Sequence, residues 1–365
     1  MNLSGVVCGG CGQPYPPRGL PYRCPSCGGI YDFEGGFRFD SGSVEPELPG
    51  IWPYRHTFSL PESAPVVSLG EGRTPLVWGE AEGIQVGFKL ESLNPTGSHK
   101  DRGTAVLAGL LAARKIQRVV EDSSGNAGAS LAAYCAHLGI HSEIYFPASA
   151  SGPKRKQIER MGGKSHPVPG PRSEAARAVL EAAEAGESYA SHAYLPFDLP
   201  GFATIAYELY DALGGSPGTV IAPVGHGSLL LGVIRGFQAL QAAGVARTQP
   251  VYVGVQSTAC DPLAAEFQED NHRPTRPAEK TAAEGVLIAH PLREEPLLKA
   301  VRESGGVILA IREPVLQQGR KNLSQMGLDV EATSALVWGG IRECAGTAPG
   351  PVIAVLTGHG LKEST

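Results

Sequence analysis

No stretch of the 365-residue sequence is apolar for long enough to cross a bilayer, so no membrane-spanning helix is expected. A basic excess is also missing. The chain carries 31 Lys and Arg against 36 Asp and Glu, a formal charge of −5, which excludes the broad positive field that draws proteins onto nucleic acid. The N-terminus, MNLSGVVCGGCG, lacks the basic region and long apolar run of a secretory leader, and a cytoplasmic protein is the default expectation. Internal repeats and low-complexity tracts are absent. With 42% hydrophobic and 18% charged residues, the chain is too apolar to be disordered. Its length exceeds a single core of roughly 100–200 residues, which points to two lobes with an appendage.

Cysteine is scarce and unevenly placed. Cys135, Cys260 and Cys344 are scattered, whereas Cys8-Gly-Gly-Cys11 and Cys24-Pro-Ser-Cys27 form two C-x-x-C pairs separated by 12 residues. In a chain without a secretion signal this pattern reads as metal ligation rather than disulfides. Gly and Pro around both pairs favour tight knuckles that aim two thiolates at one tetrahedral ion. A four-cysteine zinc ribbon over residues 1–36 is therefore expected. Four thiolates leave no coordination position for water, so its role is structural. Arg18 and Arg23 are too few for a nucleic-acid footprint.

Residues 37–64, with Pro46 to Pro61 around Ile51, Trp52 and Tyr54, read as a linker or arm. From about Pro65 short β-branched runs alternate with Ala/Leu-rich stretches. The strand candidates are Gln85–Leu90, Arg118–Glu121, Ser142–Phe146, Thr219–Pro223, Val251–Gln256, Val307–Ile311 and Val352–Leu356. Helix candidates between them are Lys100–Arg114, Asn126–His137, Ser151–Met161, Ser173–Ala185 and Leu229–Ala242. This alternation predicts an α/β fold with mostly parallel sheets covered on both faces.

The segment Asn94-Pro-Thr-Gly-Ser-His-Lys-Asp-Arg-Gly103 sets loop formers before a lysine that opens a helix. A Schiff-base lysine needs a fixed position and a setting that keeps part of it unprotonated. Lys100 is placed to meet that need. Here the chain resembles the fold-type II pyridoxal-phosphate enzymes, and the threonine synthase family in particular, whose motif is close to N-P-T-G-S-x-K-D-R-G. Glu71-Gly-Arg-Thr-Pro-Leu76 is similar to that family's E-G-x-T-P-L segment, and the resemblance runs in order to residue 362.

The resemblance implies two doubly wound parallel-sheet lobes over residues 65–365, a smaller lobe at roughly 97–205 inserted in the larger, and pyridoxal 5'-phosphate between them. Lys100 takes the position of the cofactor-bearing lysine and is the natural proton carrier at Cα. In Asp122-Ser-Ser-Gly-Asn-Ala-Gly-Ala-Ser130, Asn126 would bond the cofactor's ring oxygen, while Ser123, Ser124 and Gly125 would receive a substrate carboxylate at a helix start. Alone, such a turn is more often only a helix cap. Gly225, His226, Gly227, Ser228 and Leu229 match the phosphate cradle, where glycines let the backbone approach closely. Thr357, in Leu356-Thr-Gly-His-Gly-Leu-Lys362, would face the pyridine nitrogen, with Glu331-Ala-Thr-Ser334 as a further closing motif; His359 has a structural place in that turn.

The implied activity is a lyase of amino-acid biosynthesis that converts O-phosphohomoserine and water to threonine and phosphate. A homodimer is implied too. A second anion site would be needed for the substrate phosphate, with Asp101-Arg102 and Lys154-Arg155-Lys156 as candidates. His99, in place of the family's usual Phe, and the cradle Gly-His-Gly-Ser-Leu-Leu-Leu-Gly both depart from the typical pattern. They leave room for a cysteate synthase-like replacement or a serine/threonine dehydratase on the same core. A zinc-ribbon regulatory or nucleic-acid-binding protein with an inactive core is the reading from another class, and the retained Lys100 speaks against it.

Overall fold

A computed structural model of the chain describes residues 3, 5–123, 125–149, 152–268 and 280–363. In chain order its strands are β1 (Val6–Cys8), β2 (Tyr31–Phe33), β3 (Leu76–Ala81), β4 (Ile84–Lys89), β5 (Arg118–Glu121), β6 (His141–Pro147), β7 (Lys164–Val168), β8 (Thr219–Pro223), β9 (Val251–Ser257), β10 (Val307–Ile311) and β11 (Val352–Val355). The helices are α1 (Lys100–Ala113), α2 (Asn126–Leu138), α3 (Gly152–Arg160), α4 (Arg172–Glu184), α5 (Asp198–Leu213), α6 (Ser228–Ala242), α7 (Pro262–Phe267), α8 (Glu294–Glu303), α9 (Glu313–Gln325), α10 (Ala332–Ala335) and α11 (Val337–Cys344). The fold is α/β with largely parallel sheets, as the alternation of strand and helix signals implies. No helix among the described residues is long and apolar enough to cross a membrane. The chain divides into two compact units, Met1–Gly72 with Asn94–Gly201, and Arg73–Leu93 with Phe202–Lys362.

The first unit holds the antiparallel pair β1–β2 and a parallel sheet in the order β5-β6-β7. In α1 every residue from Asp101 to Leu111 is buried. Its sequence is small and aliphatic around the whole circumference, and a helix apolar on all sides belongs in a core. The stretch read as an arm contributes Ile51, Trp52 and Phe58 to that core, each at most 1% exposed. The Trp52 indole N–H donates to the Val67 carbonyl at 2.8 Å, and its ring meets Phe58 edge-on. Truncating such a tryptophan costs about 3–5 kcal/mol. Strand β7 is absent from the sequence candidates because Lys-Ser-His-Pro-Val lacks an apolar face; as a sheet edge it tolerates its proline.

The second unit is built on six strands in the order β10-β9-β8-β11-β4-β3, parallel except for the antiparallel edge β3. Strands β8 and β11 are buried at every residue, which is why they read as continuous Val/Ile/Ala runs rather than alternating ones. They pair in parallel, with Ala354 opposite Ile221. Their carboxyl ends therefore open at the same edge of the sheet, where open parallel sheets present ligand-binding loops.

Candidate active site and metal centre

In the first unit the loop ahead of Lys100 is fixed by its own motif. Gly97 adopts φ +81°, a left-handed conformation suited to glycine, and its N–H donates to the Asn94 carbonyl at 2.7 Å. Asp101, fully buried, accepts from the Thr96 N–H at 2.7 Å, the Thr96 hydroxyl at 2.6 Å and the Ser130 hydroxyl at 2.6 Å. One carboxylate thus staples the loop to the first turns of α1 and to α2. This corrects the expectation that Asp101-Arg102 forms a substrate-phosphate site, because the acid is consumed by the staple and Arg102 is 0% exposed. The Arg155 guanidinium pairs with Glu159 at 2.9 Å on an exposed helix face.

Gly103 ends the lysine motif for a steric reason. A Cβ there would stand 2.7 Å from the Asp198 Cβ at the start of α5. The carboxylates of Asp198 and Glu121 then act on the Lys100 amine, yet burial outweighs them and holds it below the ordinary lysine value. Glu121 closes β5 and is 1% exposed. Its carboxylate accepts the His192 N–H at 3.2 Å and lies 2.7 Å from His192 Nδ1, while Asp122 accepts from the Tyr189 hydroxyl at 2.6 Å. Burial raises Glu121 to about 7 and depresses His192 to about 3, with the nearby Lys100 adding to the latter. At neutral pH the histidine is uncharged.

This acidic floor underlies the turn that leads into α2. Ser123 is buried, and the Gly125 N–H reaches its hydroxyl at 3.3 Å. A Cβ on Gly128 would come 2.0 Å from the Ser123 carbonyl, so the glycine is what lets the turn fold back onto the helix. Asn126 is the first residue of α2. Ser124 lies outside the described residues. Sequence reading assigned the turn but not Glu121, His192 or Asp198; the Glu121 to His192 contact spans 71 positions, and no local pattern announces it.

In the second unit β8 leads through Val224-Gly-His-Gly227 into α6. Gly227 is the residue before the helix at φ +88°, and a Cβ there would lie 2.7 Å from Leu297 Cδ2. A Cβ on Gly225 would lie 2.9 Å from the Gly285 carbonyl. Both positions exclude side chains at a helix start, a setting suited to an anion. Ser228 and Leu229 are buried in the first turn, with His226 half-buried beside them. Thr357 follows β11, is 3% exposed, and lies 2.8 Å from the Ser334 hydroxyl, which also accepts the Gly358 N–H at 2.9 Å. His359 accepts the Leu361 N–H at 3.2 Å within the final turn. The unit thus gathers the cradle and Thr357 at adjoining strand ends.

The N-terminal thiols also converge. Cys8, Cys11, Cys24 and Cys27 place their sulfurs within 4.8 Å of one another, with Cys8 and Cys27 3.4 Å apart. Gly29 is held to glycine by Cys8, whose sulfur would be 2.9 Å from a Cβ. The N–H groups of Ser26 and Cys27 pull the Cys24 thiol down to about 6, while the neighbouring thiols push Cys11 up to about 12 and raise Cys27. Arg114, at the end of α1, donates to the Gly19 and Pro16 carbonyls at 2.6 and 2.8 Å and so ties the cysteine module to the lysine-bearing helix.

Residues 67–358 match the family model described as pyridoxal-phosphate dependent enzyme. The chain belongs to that family. This pyridoxal-phosphate dependent lyase is 29% identical to a threonine synthase of Methanosarcina acetivorans over 98% of this chain and 92% of that one. A threonine synthase of Methanocaldococcus jannaschii is 30% identical over 97% and 91%. Among solved structures, a threonine deaminase from T.th. superposes with a TM-score of 0.67 at 24% identity, over 79% of this chain and 92% of that one. Maize serine racemase gives 0.68 at 19% identity over 79% and 88%. At those identities the structures speak to the fold alone. Each unit by itself carries groups that suit the cofactor: the first a lysine shifted toward its neutral form, the second a side-chain-free cradle at a helix start and a buried hydroxyl.

Proposed function

We propose that the enzyme converts O-phosphohomoserine and water to threonine and phosphate, with Lys100 as the residue that holds pyridoxal phosphate. The observation that carries this reading is the extent of the likeness to threonine synthases, which takes in 98% of the chain rather than the catalytic region alone. When bound, the cofactor supplies the electron sink. The protein's own residues then orient, shield and move protons. Lys100 opens a buried helix in a setting that favours its neutral amine, which suits it to carry the proton at the substrate Cα.

Ser123, Ser124 and Gly125, with the start of α2, receive the substrate carboxylate, and Asn126 meets the cofactor's ring oxygen. Gly225, His226, Gly227, Ser228 and Leu229 receive the cofactor phosphate. Thr357 faces the ring nitrogen through a hydroxyl, which cannot hold that nitrogen protonated as a carboxylate would. The four cysteines hold one structural zinc ion. Metal analysis is expected to find one zinc per chain, lost in Cys24→Ser together with several degrees of melting temperature.

The substrate assignment is tested by incubating the cofactor-loaded enzyme with O-phosphohomoserine, with O-phosphoserine plus sulfite, and with L-serine or L-threonine. Phosphate release with threonine as product supports the proposal. Phosphate release only with O-phosphoserine and sulfite, or keto-acid formation from serine or threonine alone, overturns it in favour of a replacement enzyme or a dehydratase.

A further inference from the structure

Ahead of the region matched by the family, the first unit contains a cavity of about 620 Å³ walled by residues that follow β2 and by the Pro-containing arm. Its size falls in the range of small-molecule sites, roughly 300–1,000 Å³. Charges of both signs line it: Arg38 and Arg55, with Glu34, Glu45 and Glu62. Among the described residues none of these five forms an ion pair with another. The Arg55 guanidinium reaches only the Glu62 main-chain carbonyl, at 3.5 Å. At another place in the unit Arg118 and Lys164 do close on Glu143, each at 2.9 Å. A cavity that keeps opposite charges apart is complementary to a solute carrying both.

We propose that this cavity binds a zwitterionic α-amino acid as an effector, its carboxylate drawn to Arg38 and Arg55 and its ammonium to the glutamates. The charge-assisted contacts available to each end are the strong kind. The same walls reach the catalytic helix. Trp52 and Leu60 both line the cavity, and both press on Gly109 of α1, where a Cβ would stand 2.8 Å from the Trp52 ring and 3.4 Å from Leu60 Cδ1. An occupant that shifts either side chain acts on the helix that begins with Lys100.

The test is thermal melting of the full, cofactor-loaded chain against a panel of L-amino acids at millimolar concentration, with the visible cofactor band recorded in parallel. An amino acid reacting at the catalytic lysine alters that band, whereas one held in the cavity leaves it unchanged. The expected result is saturable stabilisation by at least one amino acid without a band change, absent for the corresponding 2-hydroxy acid. Arg55→Gln and Glu45→Gln should each weaken it at least tenfold; if Arg55→Gln lowers the ligand-free melting temperature, Glu45→Gln decides. Hydrogen exchange over Lys100–Ala113 should slow on binding. Stabilisation by none of the panel, stabilisation only with a band change, or full retention in both variants would overturn the site. Binding with unchanged exchange in α1 would overturn the effector role.

Discussion

Two lysines, the buried Lys89 and the partly buried Lys100, meet very different surroundings. Lys89, at the end of β4, is 3% exposed and its Nζ donates to the Glu208 carboxylate and the Thr74 carbonyl, both at 2.6 Å. Lys100 opens a helix where burial prevails over the pull of Asp198 and Glu121 and moves it toward the neutral amine. A lysine closed in an ion pair braces the fold; one whose desolvation prevails can be a nucleophile. The carboxylate that closes on Lys89 at 2.6 Å is what marks the bracing lysine.

The largest effects expected from this contrast follow from deleting each amine. Lys100→Ala should lower turnover on the order of 10³-fold or more and abolish the visible cofactor band, with the melting temperature nearly unchanged. Lys89→Met should keep the band yet destabilise the fold by about 3–5 kcal/mol, because Glu208 is left buried without its cation. Exchange of these two phenotypes, read by absorption and thermal melting, would break the comparison.

A smaller effect separates two glycines that both precede helices. At Gly227 the left-handed backbone and the Leu297 contact both oppose a side chain. Gly227→Ala should weaken cofactor binding by at least about tenfold, the equivalent of ~1.4 kcal/mol. Gly125 has φ −105° and its nearest neighbour, the Ser123 hydroxyl, would lie 3.9 Å from a Cβ. Gly125→Ala should therefore change cofactor affinity little. Equal losses in a titration of apoenzyme with cofactor would show that the cradle is not specially built.

A further effect concerns pH. In the folded chain Glu121 keeps its proton up to about 7, against an ordinary value of 4.5, so its contribution to stability falls as pH rises between those values. His192 works the other way: its folded value of about 3 lies below the ordinary 6.5, so stability rises with pH across that window. Glu121→Gln removes the falling limb. Relative to the wild type, the variant should gain stability between pH 4.5 and 7, by at most about 3 kcal/mol. The slope of melting temperature against pH is the readout, and parallel slopes for both proteins would contradict the assignment.

Much of this was legible in the sequence wherever chemistry is local. The lysine motif, the Ser-Ser-Gly-Asn turn, the Gly-rich turn after β8 and the two C-x-x-C pairs each announce themselves within one short segment of chain. The sheet strands read well where burial on both faces makes them continuous, as in β8 and β11. What stayed hidden depends on contacts between distant segments. Asp101, polar and next to the lysine, looked available for a phosphate until its bonds to Thr96 and Ser130 were seen. The Glu121–His192 pair and the approach of Asp198 to Gly103 exist only after folding. Trp52, in a stretch whose prolines suggested a linker, is buried by partners as remote as Gly109.

The most direct test of the account is to reduce the cofactor-loaded enzyme with borohydride and locate the phosphopyridoxyl label by peptide mass spectrometry. A single label on Lys100 is the predicted result, with none on Lys89. A label on Lys89 or on any other lysine, with Lys100 unmodified, would contradict the claim that a lysine whose desolvation prevails is the one that holds the cofactor.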